Sequence, residues 1–98
     1  MINRFKNKLR LSGLEDRLQR DLGLAADTSA WLSRMARDCA RLRGIDLLSV
    51  RGDDLPDTLF WQLECAGYDD LLDKLAGDSE VFASRLERYR TLKLANAA

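Results

Sequence analysis

Apolar residues recur along the chain at intervals of three and four almost throughout, the spacing of one face of a helix. Ile2, Phe5 and Leu9 begin the series, with Arg4, Lys6, Lys8 and Arg10 around them. Ser12 followed by Glu15 has the capping-box form, in which a hydroxyl and a carboxylate satisfy each other's backbone amides. Leu14, Leu18 and Leu22 mark the next stripe, and Gly23 is a predicted C-terminal stop. The chain up to Gly23 is therefore predicted as two short helices or one helix kinked near Gly13. Asp27, Thr28 and Ser29 then offer N-cap side chains for a helix with Trp31, Leu32, Met35, Ala36, Cys39 and Leu42 on one face. Arg34, Arg37 and Arg41 share its other side, and Gly44 ends it.

The stretch from Gly44 to Asp54 holds Ile45, Leu47, Leu48 and Val50. A single strand there would have no neighbour to pair with, so a loop with an apolar anchor is expected. Asp54 and Pro56 form a helix-opening pair, with Pro expected at the first helical position. Leu59, Phe60, Leu63 and Ala66 follow, and Gly67 closes that helix. A short helix with Leu71, Leu72 and Leu75 runs to Gly77. Asp78 or Ser79 caps a last helix whose inner face carries Val81, Phe82, Leu86, Tyr89 and Leu92. The expected fold is all-α, a small compact bundle of four to five short helices. It forms a single domain over 1–98, with residues 1–12 as a basic amphipathic start that can stay mobile and residues 95–98 as a frayed tail. The predicted core is Leu18, Leu22, Leu32, Met35, Cys39, Leu59, Leu63, Leu72, Leu75, Phe82, Leu86 and Tyr89.

Composition agrees with this pattern. The 98 residues are 46% hydrophobic, enough for one modest core and too apolar for a disordered chain. A charged fraction of 33%, against roughly 25% in typical domains, suits helices with solvated outer faces. One Pro and six Gly leave little of the turn chemistry an all-β domain needs. The apolar runs are too short to span a bilayer, and no apolar stretch follows the basic start as a secretory signal requires. Cys39 and Cys65 sit among apolar neighbours and are expected to behave as small buried hydrophobes. A cytoplasmic address follows from these features.

Catalytic chemistry is tested by subtraction. The chain has no His, which removes imidazole bases, His-dependent triads and the commonest metal ligand together. Two distant Cys do not make a zinc site, and no phosphate-binding glycine loop is present. Asp53–Asp54 and Asp69–Asp70 lack calcium-loop spacing and read as solvated faces and helix caps. Arg51-Gly52-Asp53 is an adhesion-type tripeptide that carries no weight in a chain without an export signal. No enzyme activity, cofactor, metal or small-molecule substrate is expected.

Charge changes the picture more. Residues 1–43 hold ten basic and five acidic side chains, a net of +5. Residues 44–80 hold two basic and ten acidic, a net of −8, and residues 81–98 four basic and one acidic, a net of +3. A neutral total thus conceals a basic–acidic–basic layout, which bears on partners rather than on fold. One reading is a protein-interaction module, an adaptor, inhibitor or regulatory subunit that binds a protein partner or a second copy of itself. Its candidate anchors are Trp31, Trp61, Phe60 and Tyr68, with Trp61 expected to lie off the Leu59–Leu63–Ala66 stripe. The alternative is non-specific nucleic-acid binding through Arg4, Lys6, Lys8, Arg10, Arg17, Arg20, Arg34, Arg37, Arg41 and Arg43. A helix-turn-helix around Gly67 fails, because Asp69, Asp70 and Asp73 on its second helix would repel phosphates. A membrane-surface role for Ile2, Phe5 and Leu9 is weak with only three anchors. The simplest account of the layout is that the three segments neutralise one another within the fold.

Overall fold

The structure, a computed structural model, describes residues 13–97. The proposed Ser12–Glu15 capping box and the basic residues Arg4, Lys6, Lys8 and Arg10 lie wholly or partly outside the described residues. Residues 13–22 are helical (α1), followed by α2 (Ala26–Arg41), a single 3-10 turn (Leu47–Ser49), α3 (Asp54–Cys65), α4 (Asp69–Asp78) and α5 (Glu80–Ala97). There is no strand among the described residues, and the fold is a small all-α bundle. α3 is its centre, touching α2, α4, α5 and the 3-10 turn, while α4 packs chiefly on α5.

The core follows the predicted stripes. Leu18, Leu22, Leu32, Leu59, Leu63, Leu72, Leu75, Phe82 and Leu86 are buried, and Met35, Cys39 and Tyr89 pack against them from partly exposed positions. Leu14, Leu24, Ala36, Ala40, Leu47, Leu55 and Phe60 join them. Phe60 is fully buried, with its ring edge-on to Phe82 at 5.3 Å and tilted against Tyr89 at 5.6 Å. Burying one such ring is worth about 1.5–3 kcal/mol, so these aromatics bind α3 firmly to α5.

The breaks between helices are built as the glycines suggest. Gly44 and Gly67 each close a paired motif in which the next amide reaches five residues back: Ile45 N–H to the Ala40 carbonyl and Tyr68 N–H to the Leu63 carbonyl, both 2.9 Å. Gly23 has a second reason to be glycine. Its φ is +63°, and a Cβ placed there would lie 2.9 Å from the Ser79 hydroxyl. That hydroxyl is the N-cap of α5, accepting from Phe82 N–H at 3.2 Å, and it donates to the Leu22 carbonyl at 2.7 Å. Of the two caps proposed for the last helix, Ser79 is the one used. The segment before α3 is a loop, as expected, anchored by Leu47. Its 3-10 turn is held by the Asp46 carboxylate, which accepts from Leu48 N–H and the Ser49 hydroxyl.

Four expectations need correction. α2 starts at Ala26, one turn earlier than proposed, with Ala25 at its N-cap and no capping side chain. Ser29 is buried instead of capping. Pro56 is the third residue of α3, not the first, a position whose amide is still orphaned, so the ring costs no hydrogen bond there. The buried face of α2 is rotated from the apolar face read in the sequence: Ser29, Leu32, Ser33, Ala36 and Ala40 are buried, whereas Trp31 and Leu42 face out. The apolar arc of α2 is wide, and the small residues on one side allow the closer approach of a neighbour, so burial centres on them. On α5, Val81 and Leu92 are exposed rather than inner. Leu92 opens on a groove beside α3, and Val81 lies in the first turn of α5 close to Gly23.

Candidate interaction surface

Trp61 lies two residues after Leu59 and two before Leu63, so a helix that buries both leucines turns its indole away from them. It is 46% exposed. The side of α3 it occupies meets α5, and Asp57, Trp61, Tyr89, Leu92 and Lys93 together line an open groove of about 350 Å³. Leu92, on the other wall, is 48% exposed. The Arg43 guanidinium rests over the indole, 5.9 Å from the ring centroid, a cation–π distance. Arg43 stands two residues beyond the end of α2, so this contact brings that end to the groove. Next to it Leu42 is 90% exposed, the most exposed large apolar side chain among the described residues.

The far side of the groove is fixed by a polar cluster. The Tyr89 hydroxyl donates to Glu64 Oε1 at 2.7 Å, and Lys93 Nζ donates to the same oxygen at 2.9 Å. Burial by itself pushes the Glu64 carboxyl up. The bonds from Tyr89 and Lys93, with the charges of Lys93 and Arg90, outweigh it and hold the group below its ordinary 4.5. Burial first, then the bond to Glu64 and its charge, push the Tyr89 phenol above its ordinary 10.0. Tyr89 and Lys93 are thereby held in place as groove walls. Asp57 has no ion-pair partner among the described residues.

The other proposed anchors have different positions. Phe60 is core, because it points between Phe82 and Tyr89, and it presents no surface. Tyr68 is exposed in the turn between α3 and α4. Trp31 is 37% exposed on the outer face of α2, which Leu42 shares eleven residues on. Cys65, expected to be buried, is exposed, since it lies one turn after Trp61 on the same side of α3; Cys39 is half-buried, and both thiols are free. Sequence reasoning missed Leu42, which it set on the apolar face of its helix, Leu92, which it placed inside, and Asp57, which it read only as one acid among many. The i, i+4 spacing of Asp57 and Trp61 was the available signal.

Of the basic residues proposed for phosphate contact that are described, Arg37 and Arg41 line one small depression with Ile45, Asp46 and Leu47. Arg17 donates to the Val50 carbonyl at 2.9 Å, Arg20 lies 3.7 Å from Asp16, and Arg41 lies 3.7 Å from Asp38. Arg43 covers Trp61, Arg34 is exposed and Arg37 is half-buried on α2. The C-terminal cations behave differently. Arg90 pairs with Asp73 at 2.7 Å and Lys93 with Glu64, joining the basic last segment to the acidic middle. Two of the four C-terminal cations thus pair with two of the ten acidic residues of the middle segment. Among the described N-terminal cations the ion pairs stay within single helices.

No group of three or more metal-ligating carboxylates or thiols occurs among the described residues. No described helix is long and apolar enough to cross a membrane. A second depression of about 310 Å³, lined by Asp21, Gly52, Asp53, Pro56 and Arg85, is polar and partly closed by Arg85 donating to the Asp53 carbonyl at 3.2 Å. Comparison with protein-family models, with curated proteins and with solved structures gave no match.

Proposed function

We propose that this chain acts by binding and not by catalysis, as a small protein-interaction module whose contact surface is the Trp61 groove between α3 and α5. The observation that carries the reading is the half-exposed indole itself. A tryptophan held in a shallow apolar groove, rimmed by charge, has the composition of an interface centre. The rigid setting favours association, since the walls are already fixed by the Tyr89–Glu64–Lys93 cluster and little side-chain ordering remains to oppose binding. The role is that of an adaptor, inhibitor or regulatory subunit. Two free thiols suit a reducing compartment, in line with the cytoplasmic address expected from the sequence.

A nucleic-acid role has less support, because the described basic residues are spread over α1 and α2 and several are engaged inside the chain. The test is a photoreactive amino acid placed at position 61, with cross-linking in the cell that expresses the protein. A discrete cross-linked product, lost when the neighbouring Leu92 is changed to Asp, is the expected result. An absence of any product at position 61, with helicity intact, removes the reading.

A further inference from the structure

Resting on the reading of the Trp61 groove as an interface, the charges of its walls select the kind of segment that fits it. α3 carries Asp54, Asp57 and Glu64 and no Lys or Arg, so every charge on that helix is negative. α5 supplies the opposite wall with Tyr89, Leu92 and Lys93. The Lys93 ammonium is already committed to Glu64 at 2.9 Å, and Arg90 to Asp73 at 2.7 Å. Arg43 is likewise seated on the indole and is not one of the groove's walls. Asp57 is left as the charged wall group without an ion-pair partner among the described residues. Beside it Trp61 and Leu92, each about half exposed, offer apolar surface. A groove of about 350 Å³ lies at the small end of ligand pockets and takes the side chains of a short segment, not a folded element.

We infer that the occupant is a basic segment of a protein partner, which sets a lysine or arginine against Asp57 and an adjoining apolar side chain between Trp61 and Leu92. A cation at Asp57 gains a counter-ion without breaking an ion pair of the described fold. The apolar side chain supplies the affinity, and the charge pair sets the register and the sign of the partner. An acidic segment would bring a carboxylate to Asp57 while Lys93 is held by Glu64. Nucleic-acid phosphates and anionic lipid headgroups would meet the same carboxylates and are disfavoured for the same reason.

The experiment follows the two indole N–H resonances of the full chain by proton–nitrogen correlation NMR during titration with short capped peptides. The probes are Gly-Lys-Leu-Lys-Gly and its counterparts with glutamate or glutamine in place of lysine. The lysine peptide is expected to shift the Trp61 resonance, to leave that of Trp31 in place, and to bind more weakly as salt rises. The glutamate peptide is expected to move neither. Asp57→Asn should weaken the lysine peptide on the order of fivefold with helical circular dichroism unchanged. Asp57→Lys should transfer the preference to the glutamate peptide. A lysine peptide that binds Asp57→Asn as well as the unaltered protein overturns the proposal, as do three peptides that bind alike or all leave Trp61 unmoved. Cross-linking at position 61 then separates the two readings. A product that persists keeps the interaction surface with an occupant of other chemistry, and the absence of any product removes both.

Discussion

Gln62 and Glu64 sit two residues apart on α3 and meet opposite fates. Glu64 faces α5, where a phenol and an ammonium donate to it and its remaining edge reaches solvent. Gln62 shares its side of α3 with Leu55 and Leu59 and is fully buried. Neither its amide nitrogen nor its carbonyl oxygen has a hydrogen-bond partner among the described residues, and the buried Ser29 hydroxyl on α2 is in the same condition. At Glu64 the groove side of the helix thus carries a hydrogen-bonded polar cluster, while the opposite side buries an amide without partners among the described residues. An unpaired buried polar group costs about 1–3 kcal/mol, whereas a charge-assisted bond at a partly exposed site adds a smaller gain. The unpaired buried atoms of α3 thus lie away from the side that holds the proposed interface.

Four measurements sharpen or break this contrast, and the largest effect is expected from the aromatic centre of the groove side. Phe60→Ala should cost about 3–5 kcal/mol in urea unfolding, because the ring fills the space between Phe82 and Tyr89. A loss under about 1 kcal/mol would mean that α5 is not held by these rings. Next, Gln62→Leu should raise stability by roughly 1–3 kcal/mol, since it removes two unpaired atoms at nearly constant volume. A destabilised variant would show that Gln62 has partners after all, and the contrast between the two sides would collapse. Tyr89→Phe deletes the donor to Glu64 and should cost about 0.5–1.5 kcal/mol while leaving the ring in place.

The smallest effect is a pH dependence. Glu64 is held below its ordinary 4.5, so it favours the folded state fully above that value, and the contribution fades as the pH falls through and below it. Stability of the unaltered protein should therefore fall more steeply below about pH 4.5 than that of Glu64→Gln, measured by denaturant midpoints across the acid range. Parallel curves would mean that the Tyr89 and Lys93 bonds do not favour the ionised carboxylate.

Much of the bundle was legible because its signals are local. Leucine spacing, Gly23, Gly44 and Gly67, and the capping serine at 79 each act within a turn or two of the chain. The errors come from places where a distant neighbour decides. Trp31 and Leu42 fall on the same broad apolar arc as Leu32 and Ala36, and only the approach of α3 determines which half of that arc is covered. Leu92 keeps helical register with Leu86 and Tyr89, but nothing in that register reveals that it opens on a groove beside Trp61. Trp61 was readable, since its position between Leu59 and Leu63 forces it outward in any helix. Its companions were not: Arg43 reaches the indole from eighteen positions away, across a loop whose path the sequence does not encode as a pattern. Phe60 shows the reverse error, a residue near the edge of its stripe that was drawn inside by aromatic partners from α5.

The Ser79 hydroxyl ties together residues 57 positions apart in the chain. It joins the end of α1 to the start of α5 through one oxygen, donating to the first and accepting from the second. Amide protons in the first turn of α5 and the last turn of α1 should accordingly exchange with solvent at a common rate, as members of one opening unit. The loop this oxygen closes encompasses α2, α3 and α4, so its closure entropy is among the largest in the fold. The contact of Leu22 with Ser79 is therefore expected to form after the middle helices have gathered around α3.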